Sequence, residues 1–301
     1  MKIHTLDLLH QNREHAIAAY LLEGPDGWVL VETGPMSTLH TLQGRLRQHG
    51  LQADDVKHVL VTHIHLDHAG AAGWWAQQGA TVYVHPVGAP HLVDPSRLWR
   101  SAGRIYGDAM EQLWGDLLPA PANRVVSVAN GETIDVAGLA ITAWDTPGHA
   151  WHHHVYQIGD VAFSGDAAGV RLVPDRWVSL PAPPPELDLD AWGATVSRLQ
   201  AMRIEALYLT HFGKVENPAA HLQQFAALME AAADFIRAYI EAGTDRDQLV
   251  QAYREWNKER ALQAGTALED FAGRYEAANP LFMSVDGIMR YWRKRDEKQG
   301  S

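Results

Sequence analysis

From its start the chain alternates β-like and helical patterns of apolar residues. "KIHTLDLL", "HAIAAYLLEG" and "WVLVETG" read as strands, and a Pro-Asp-Gly turn joins the last two. "STLHTLQGRLRQHG" instead spaces its apolar residues for a helix and closes on a glycine. "VKHVLVTH" predicts a buried strand, a helix follows through "AGAAGWWAQQG", and "ATVYVHP" is another short strand. After a helical stretch around residues 96–117 the pattern returns to β. "NRVVSVA", "ETIDV", "LAITAWDTPG", "HHVYQIG" and "DVAFSGD" read as short strands separated by Gly and Asp turns. "LDLDAWGATVSRLQAM" predicts an amphipathic helix and "IEALYLTHFG" a strand running into a loop. Two strand-rich stretches, each carrying helices, predict a four-layered α/β arrangement with paired sheets inside.

Beyond about residue 217 the strand signal stops. "PAAHLQQFAALMEAAADFIRAYIEAG" places Leu222, Phe225, Met229, Ile236 and Ile240 near helical intervals, and further helices reach "MRYWRKRDEK", whose charges read as a solvated helix end. The pattern therefore divides the chain into a catalytic domain over residues 1–216 and a helical C-terminal appendage over 217–301. The appendage must bury its apolar faces, either on the first domain, where it would line one side of the pocket, or in a homodimer.

Composition narrows the chemistry. The formal net charge of −11 opposes phosphate backbones and anionic membrane surfaces, so the expected partner is a small-molecule substrate, with neither nucleic acid nor membrane. Cysteine is absent, which removes disulfides, thiolate metal sites and a cysteine nucleophile. Any metal must be held by His, Asp or Glu, a donor set that suits zinc, manganese or iron. The N-terminal stretch has no signal-peptide pattern, and no uncharged apolar run approaches the length of a membrane span; a cytoplasmic protein is expected.

The candidate ligands stand at strand ends. "THIHLDHAG" crowds His63, His65, Asp67 and His68 behind an apolar run; His149 follows in "DTPGHAWHHH", Asp166 in "FSGDAAG" and His211 in "YLTHFG". His63 and His65 are two apart, so in extended backbone they share a side, and Asp67 and His68 turn past them to a second position. Five imidazoles and two carboxylates in turn-rich segments are placed to project from a rigid scaffold.

In this order and spacing, H-x-H-x-D-H at 63–68, "TPGHA" at 146–150, "SGD" at 164–166 and "LTHFG" at 209–213 resemble the metallo-β-lactamase superfamily over residues 1 to about 215. The resemblance implies an αββα sandwich with metals at one edge of the paired sheets. It also implies two divalent ions, zinc first, with manganese or iron as alternatives. His63, His65 and His149 would hold one, Asp67, His68 and His211 the other, and Asp166 would bridge them. A metal-bridging hydroxide would then cleave an ester-like bond, with Asp67 orienting it or relaying a proton to the leaving group.

The layout with a helical appendage is most similar to the glyoxalase II and lactonase-like branch, so a thioester, carboxylic ester or lactone is the first substrate class. A non-hydrolytic iron-dependent sulfur dioxygenase, a phosphodiesterase and a metal-stabilised binding module are the alternatives. "DAAGVRL" lacks the Tyr that quorum-quenching lactonases place shortly after the bridging Asp.

Supporting positions are fewer. "VETG" puts Glu32 where the family usually has an Asp that orients the ligand loop. Arg171 could reach an anionic substrate, and Trp177, in the proline-stiffened stretch "RLVPDRWVSLPAPPPELDLD", could wall an entrance. His85 reads as a strand-end packing or pocket residue, His152 to His154 as structural rather than ligating, and Trp74 and Trp75 as helix core and rim.

Overall fold

The structure is a computed structural model that describes residues 1–172 and 176–299. Pro174, one of the prolines expected to stiffen the stretch after Asp166, lies outside the described residues. Those residues form two mixed sheets flanked by helices, the predicted α/β sandwich, with helices closing the chain. Among them no helix is long and apolar enough to cross a membrane. The chain divides into two compact units, Met1–Asp145 with His152–Gly165, and Thr146–Trp151 with Asp166–Ser301.

The first unit holds one complete sheet, in the order β1 (Lys2–Asp7), β2 (Ala18–Gly24), β3 (Gly27–Val31), β4 (Val56–Leu60), β5 (Thr81–Val84), β6 (Val125–Ser127). The Pro25–Asp26 turn is short enough only for an antiparallel return, and β1, β2 and β3 pair that way. From β3 onward neighbours are parallel, because helical crossovers intervene. They are α1 (Leu39–Gln48), then α2 (Leu66–Ala69) and α3 (Ala72–Gln77), then α4 (Ala89–Val93), α5 (Ser96–Tyr106) and α6 (Met110–Trp114).

The same unit carries the antiparallel run β7 (Thr133–Val136), β8 (Leu139–Asp145), β9 (His154–Ile158), β10 (Val161–Gly165). Tyr20 of β2 and Phe163 of β10 meet at 5.3 Å between ring centroids, joining the inner faces of the two layers. The buried Tyr156 hydroxyl on β9 lies 3.3 Å from the Val61 carbonyl and 3.2 Å from that of Tyr83, so one phenol ties down the exits of β4 and β5.

In the second unit three long helices begin on side-chain caps. Asp188 accepts from the Ala191 N–H at the start of α7 (Leu189–Ala201), and Asn217 from Ala220 before α8 (Pro218–Glu241). Asp245 accepts from Asp247 and Gln248 before α9 (Arg246–Gln263). The final helix is α10 (Leu281–Gln299). Leu222, Phe225, Met229 and Ile236 of α8 are buried as their spacing predicts, while Ile240 is half-buried near its C-terminal end. Between α7 and α8 lies the hairpin β11 (Ala206–Leu209) and β12 (Gly213–Val215). β12 has no apolar alternation to announce it.

The C-terminal helical region grips the stretch around Trp177. Tyr275 Oη accepts the Leu172 N–H at 3.2 Å and donates to the Trp177 carbonyl at 3.0 Å. Ser284 Oγ donates to the Leu180 carbonyl at 2.7 Å, and Asn279 Nδ2 donates to the same oxygen at 3.0 Å. A Cβ on Gly287 of α10 would collide with the Ala182 carbonyl, so glycine permits this approach. The Trp177 ring lies 4.3 Å from Tyr275 and 5.4 Å from Phe271 and is 3% exposed. The residue expected to wall an entrance is thus buried in contact with these aromatics.

Two outcomes follow from this packing. Tyr275→Phe strands the buried Leu172 N–H and the Trp177 carbonyl, and is expected to cost about 1–3 kcal/mol in urea unfolding. His221 of α8 donates from Nε2 to the Ala168 carbonyl at 2.8 Å, and burial holds its pKa down at about 4, from 6.5. The unfolded chain then takes up a proton that the folded chain refuses. His221 therefore contributes no acid penalty above about pH 6.5, and stability falls as pH drops toward 4. His221→Gln, which can still donate but does not titrate, should flatten that decline in unfolding free energy between pH 7 and pH 4.5.

Candidate metal centre

β4 ends at Leu60, and the chain then leaves the sheet, so His63 to His68 occupy a turn and the short α2 rather than a continued strand. The turn is held by the end of β3. Glu32 sits at φ 65°, a left-handed conformation uncommon outside glycine, and its buried carboxylate faces the ligand turn. Its own N–H donates to the Leu60 carbonyl at 2.8 Å, while the N–H groups of Thr33 and Gly34 donate to the His68 carbonyl at 2.8 and 3.2 Å. The "VETG" turn thus cradles His68 by backbone bonds.

Proton placement follows from the partners. A carboxylate only accepts, so His68 Nδ1, 3.2 Å from Glu32 Oε1, carries the proton and leaves its lone pair on Nε2. The Thr62 hydroxyl also donates to Glu32, which leaves Thr62 Oγ1 as the acceptor for His63 Nδ1 at 3.1 Å. His63 is therefore another Nδ1–H ring with its lone pair on Nε2. That nitrogen faces His65 Nδ1 at 2.9 Å, and Asp67 Oδ2 lies 3.6 Å from His68 Nε2. Glu32 reaches these groups directly, so its extra methylene is absorbed by its backbone conformation.

The second unit repeats the device. His149 Nδ1 donates to the Pro181 carbonyl at 2.7 Å, which turns its Nε2 lone pair toward Asp166 Oδ2 at 3.4 Å. Trp192 holds that ring by an edge contact at 5.6 Å and donates its own N–H to the Ala167 carbonyl at 2.9 Å. His211 Nε2 lies 3.6 Å from Asp166 Oδ1, so one buried carboxylate has an imidazole nitrogen beside each oxygen. The Arg171 backbone braces this side, donating to the His211 carbonyl at 2.6 Å and accepting from Phe212 at 3.2 Å.

Within the first unit the structure gathers His63, His65, Asp67 and His68, and within the second His149, Asp166 and His211. Imidazole nitrogens whose ring partners fix a proton on Nδ1 and whose Nε2 faces other candidate ligands and carboxylates fit a divalent transition metal.

The remaining histidines hold backbone and rings. His153 stacks on His63 at 4.8 Å, and His152 Nδ1 accepts the Ile64 N–H at 3.4 Å. A Cβ on Gly165 would run into Thr62 Oγ1 and His153 Nε2, which is why "SGD" carries glycine there. Trp75 is core, and Trp74 meets it edge-on at 5.2 Å.

One residue escapes the motif reading. Tyr106 of α5 packs with Trp114, 5.1 Å away, around Leu66. Burial, with the charge of Asp67 adding to it, pushes its phenol pKa well above the ordinary value, so Tyr106 lies in the electrostatic field of a candidate ligand. The helical periodicity of residues 96–117 is the sequence signal that such a side chain would face inward.

Residues 12–211 match the family model of the metallo-beta-lactamase superfamily. The chain belongs to that superfamily. Superfamily members are mostly metal-dependent hydrolases and bind divalent metals, typically zinc or iron. The chain is 27% identical over 166 residues to the metallo-beta-lactamase fold-containing protein ST1585 of Sulfurisphaera tokodaii, covering 54% of this chain and 62% of that protein. It is 24% identical over 215 residues to an atrochrysone carboxyl ACP thioesterase of Aspergillus fumigatus, covering 67% of this chain and 55% of that one. These matches thus span 55–62% of the relatives' own length. The crystal structure of the metallo-beta-lactamase family protein TTHA1429 from Thermus thermophilus superposes with a TM-score of 0.71 at 21% identity, over 98% of this chain and 94% of that one. That likeness of fold includes the C-terminal helices.

Glu32→Ala removes the acceptor that fixes the proton on His68 and, through Thr62, on His63. Metal affinity, read by chelator competition, should fall about 10–100-fold, the usual cost of losing a partner that orients a ligand. Unchanged affinity would mean that the tautomer lock is irrelevant to metal binding.

Proposed function

We propose that the chain is a metal-dependent hydrolase of ester-like bonds, with a thioester, carboxylic ester or lactone as substrate. The observation that carries this reading is the proton placement at His63, His68 and His149. Each ring is held as Nδ1–H by an oxygen acceptor, which turns its Nε2 lone pair outward in a member of a metallohydrolase superfamily. The relative named as an acyl carrier protein thioesterase supports thioesters within that class.

In this reading two ions bind, zinc first, with manganese or iron as alternatives. His63, His65 and His149 would hold one, Asp67, His68 and His211 would hold the other, and Asp166 would serve both. Bound ions of this kind polarise an acyl oxygen and lower the pKa of water to about 7. The chain's own residues do the rest. Glu32, Thr62 and the Pro181 carbonyl keep the ligand rings in one tautomer, so no proton has to move before a metal binds. Asp67 is the most exposed of the carboxylates in the set, its side chain 22% accessible, and would orient the attacking water and pass a proton to the leaving group.

Elemental analysis of the purified protein for zinc, manganese and iron, followed by a panel of thioesters, lactones, phosphodiesters and β-lactams, tests the proposal. Bound metal and turnover of an acyl substrate are expected. His63→Ala and Asp166→Ala should each lose at least about a hundredfold in kcat/KM while far-UV dichroism stays close to wild type. Full activity in either variant contradicts the assignment. One iron per chain with thiol-dependent oxygen uptake would replace hydrolysis by sulfur dioxygenation.

A further inference from the structure

A second histidine–aspartate group lies outside the seven expected ligands: His85 just past β5, Asp145 at the end of β8 and His154 at the start of β9, all in the first unit. One ligand-type atom from each falls within 4.8 Å of the others, so by composition and spacing the group looks like another metal triad.

Its protons say otherwise. The Val87 backbone N–H donates to His85 Nδ1 at 3.0 Å, so that nitrogen holds the lone pair and His85 Nε2 holds the proton. His85 Nε2 then points at Asp145 Oδ1, 3.3 Å away. His154 Nε2 lies 3.0 Å from the same oxygen. A proton on the opposite nitrogen of His154 would be a buried N–H with no partner among the described residues, the costlier arrangement. Both rings are thus Nε2–H donors to one carboxylate oxygen, the reverse of the tautomer found at His63, His68 and His149. Burial keeps both imidazoles neutral, holding His154 down at about 4.

The clamp is wired to the ligand turn. The His154 backbone N–H donates to the Thr62 carbonyl at 2.7 Å, and Thr62 is the residue whose hydroxyl links His63 to Glu32. The adjoining His153 stacks on the His63 ring, and His152 accepts from Ile64. Residues 152–154 therefore brace residues 62–64, and Asp145 holds the last of the three together with the end of β5.

We propose that Asp145, accepting Nε2–H from both His85 and His154, is a positioning residue for the His63–His68 ligand turn, and that these three side chains are not a third metal site. The positioning role rests on the metal-centre reading above. The clamp itself does not.

The test uses the full chain loaded with zinc. Long-range 1H–15N correlation of the imidazoles should show His85 and His154 as Nε2–H rings at pH 7, unchanged by excess zinc. His85→Gln and His154→Gln each put an amide N–H near the place of the ring N–H, yet are poor transition-metal ligands. Both should keep the wild-type zinc content per chain and chelator-competition affinity within about twofold. Asp145→Ala should lose about tenfold in zinc affinity, and Asp145→Asn, which keeps one acceptor oxygen, should lose less.

An Nδ1–H ring at either position under excess zinc, or one fewer zinc per chain in a glutamine variant, overturns the proposal in favour of a third metal site. Wild-type affinity in both Asp145→Ala and Asp145→Asn overturns the positioning role alone. A wild-type chain that takes up no metal sinks the hydrolase reading and the positioning role together, while the tautomers still report on the clamp.

Discussion

A neutral imidazole has one proton and one lone pair, and the neighbour of one nitrogen decides what the other can do. In this chain that constraint sorts the buried histidines. Where Nδ1 meets an oxygen acceptor, as in His63, His68 and His149, the lone pair is turned outward on Nε2 and the ring is ready to ligate. Where Nδ1 meets a backbone donor, as in His85, Nε2 keeps the proton and the ring becomes a hydrogen-bond donor. The fold supplies those neighbours: the left-handed turn at Glu32, the hydroxyl of Thr62 and the carbonyl of Pro181 are as much part of the metal chemistry as the ligands themselves.

The helices of the second unit take their importance from the same constraint. The Pro181 carbonyl that fixes His149 belongs to a stretch whose neighbouring backbone groups are held by Tyr275, Asn279 and Ser284. Residues about a hundred positions later in sequence thus stabilise the acceptor on which a ligand's tautomer depends. A C-terminal region that reads as a separate appendage by its helical pattern is tied by hydrogen bonds to the segment that follows Asp166.

Much of this was legible in the chain and some was not. β-like runs bounded by turn residues located the strands down to β11, because each sheet buries one face or both, and the α8 spacing predicted which of its residues face inward. The histidine motif and its family likeness named the candidate ligands, since ligand chemistry needs particular residue types at strand ends. β12 escaped because three residues of Gly-Lys-Val carry no period. The burial of Trp177 was not legible because its partners, Phe271 and Tyr275, lie far along the chain and only the folded structure brings them to it. The His85–Asp145–His154 clamp shows the limit most clearly: its composition is that of a metal site, and only the folded structure, through the Val87 N–H on His85 and the surroundings of His154 Nδ1, reveals where its protons are.

Zinc K-edge X-ray absorption on the loaded, full-length protein tests the central claim most directly, because it reports the donors around bound metal. The account predicts a first shell of nitrogen and oxygen at about 2.0–2.1 Å with the multiple-scattering signature of several imidazoles. A shell of water and carboxylate oxygen without imidazole, or no stable zinc uptake, would contradict it.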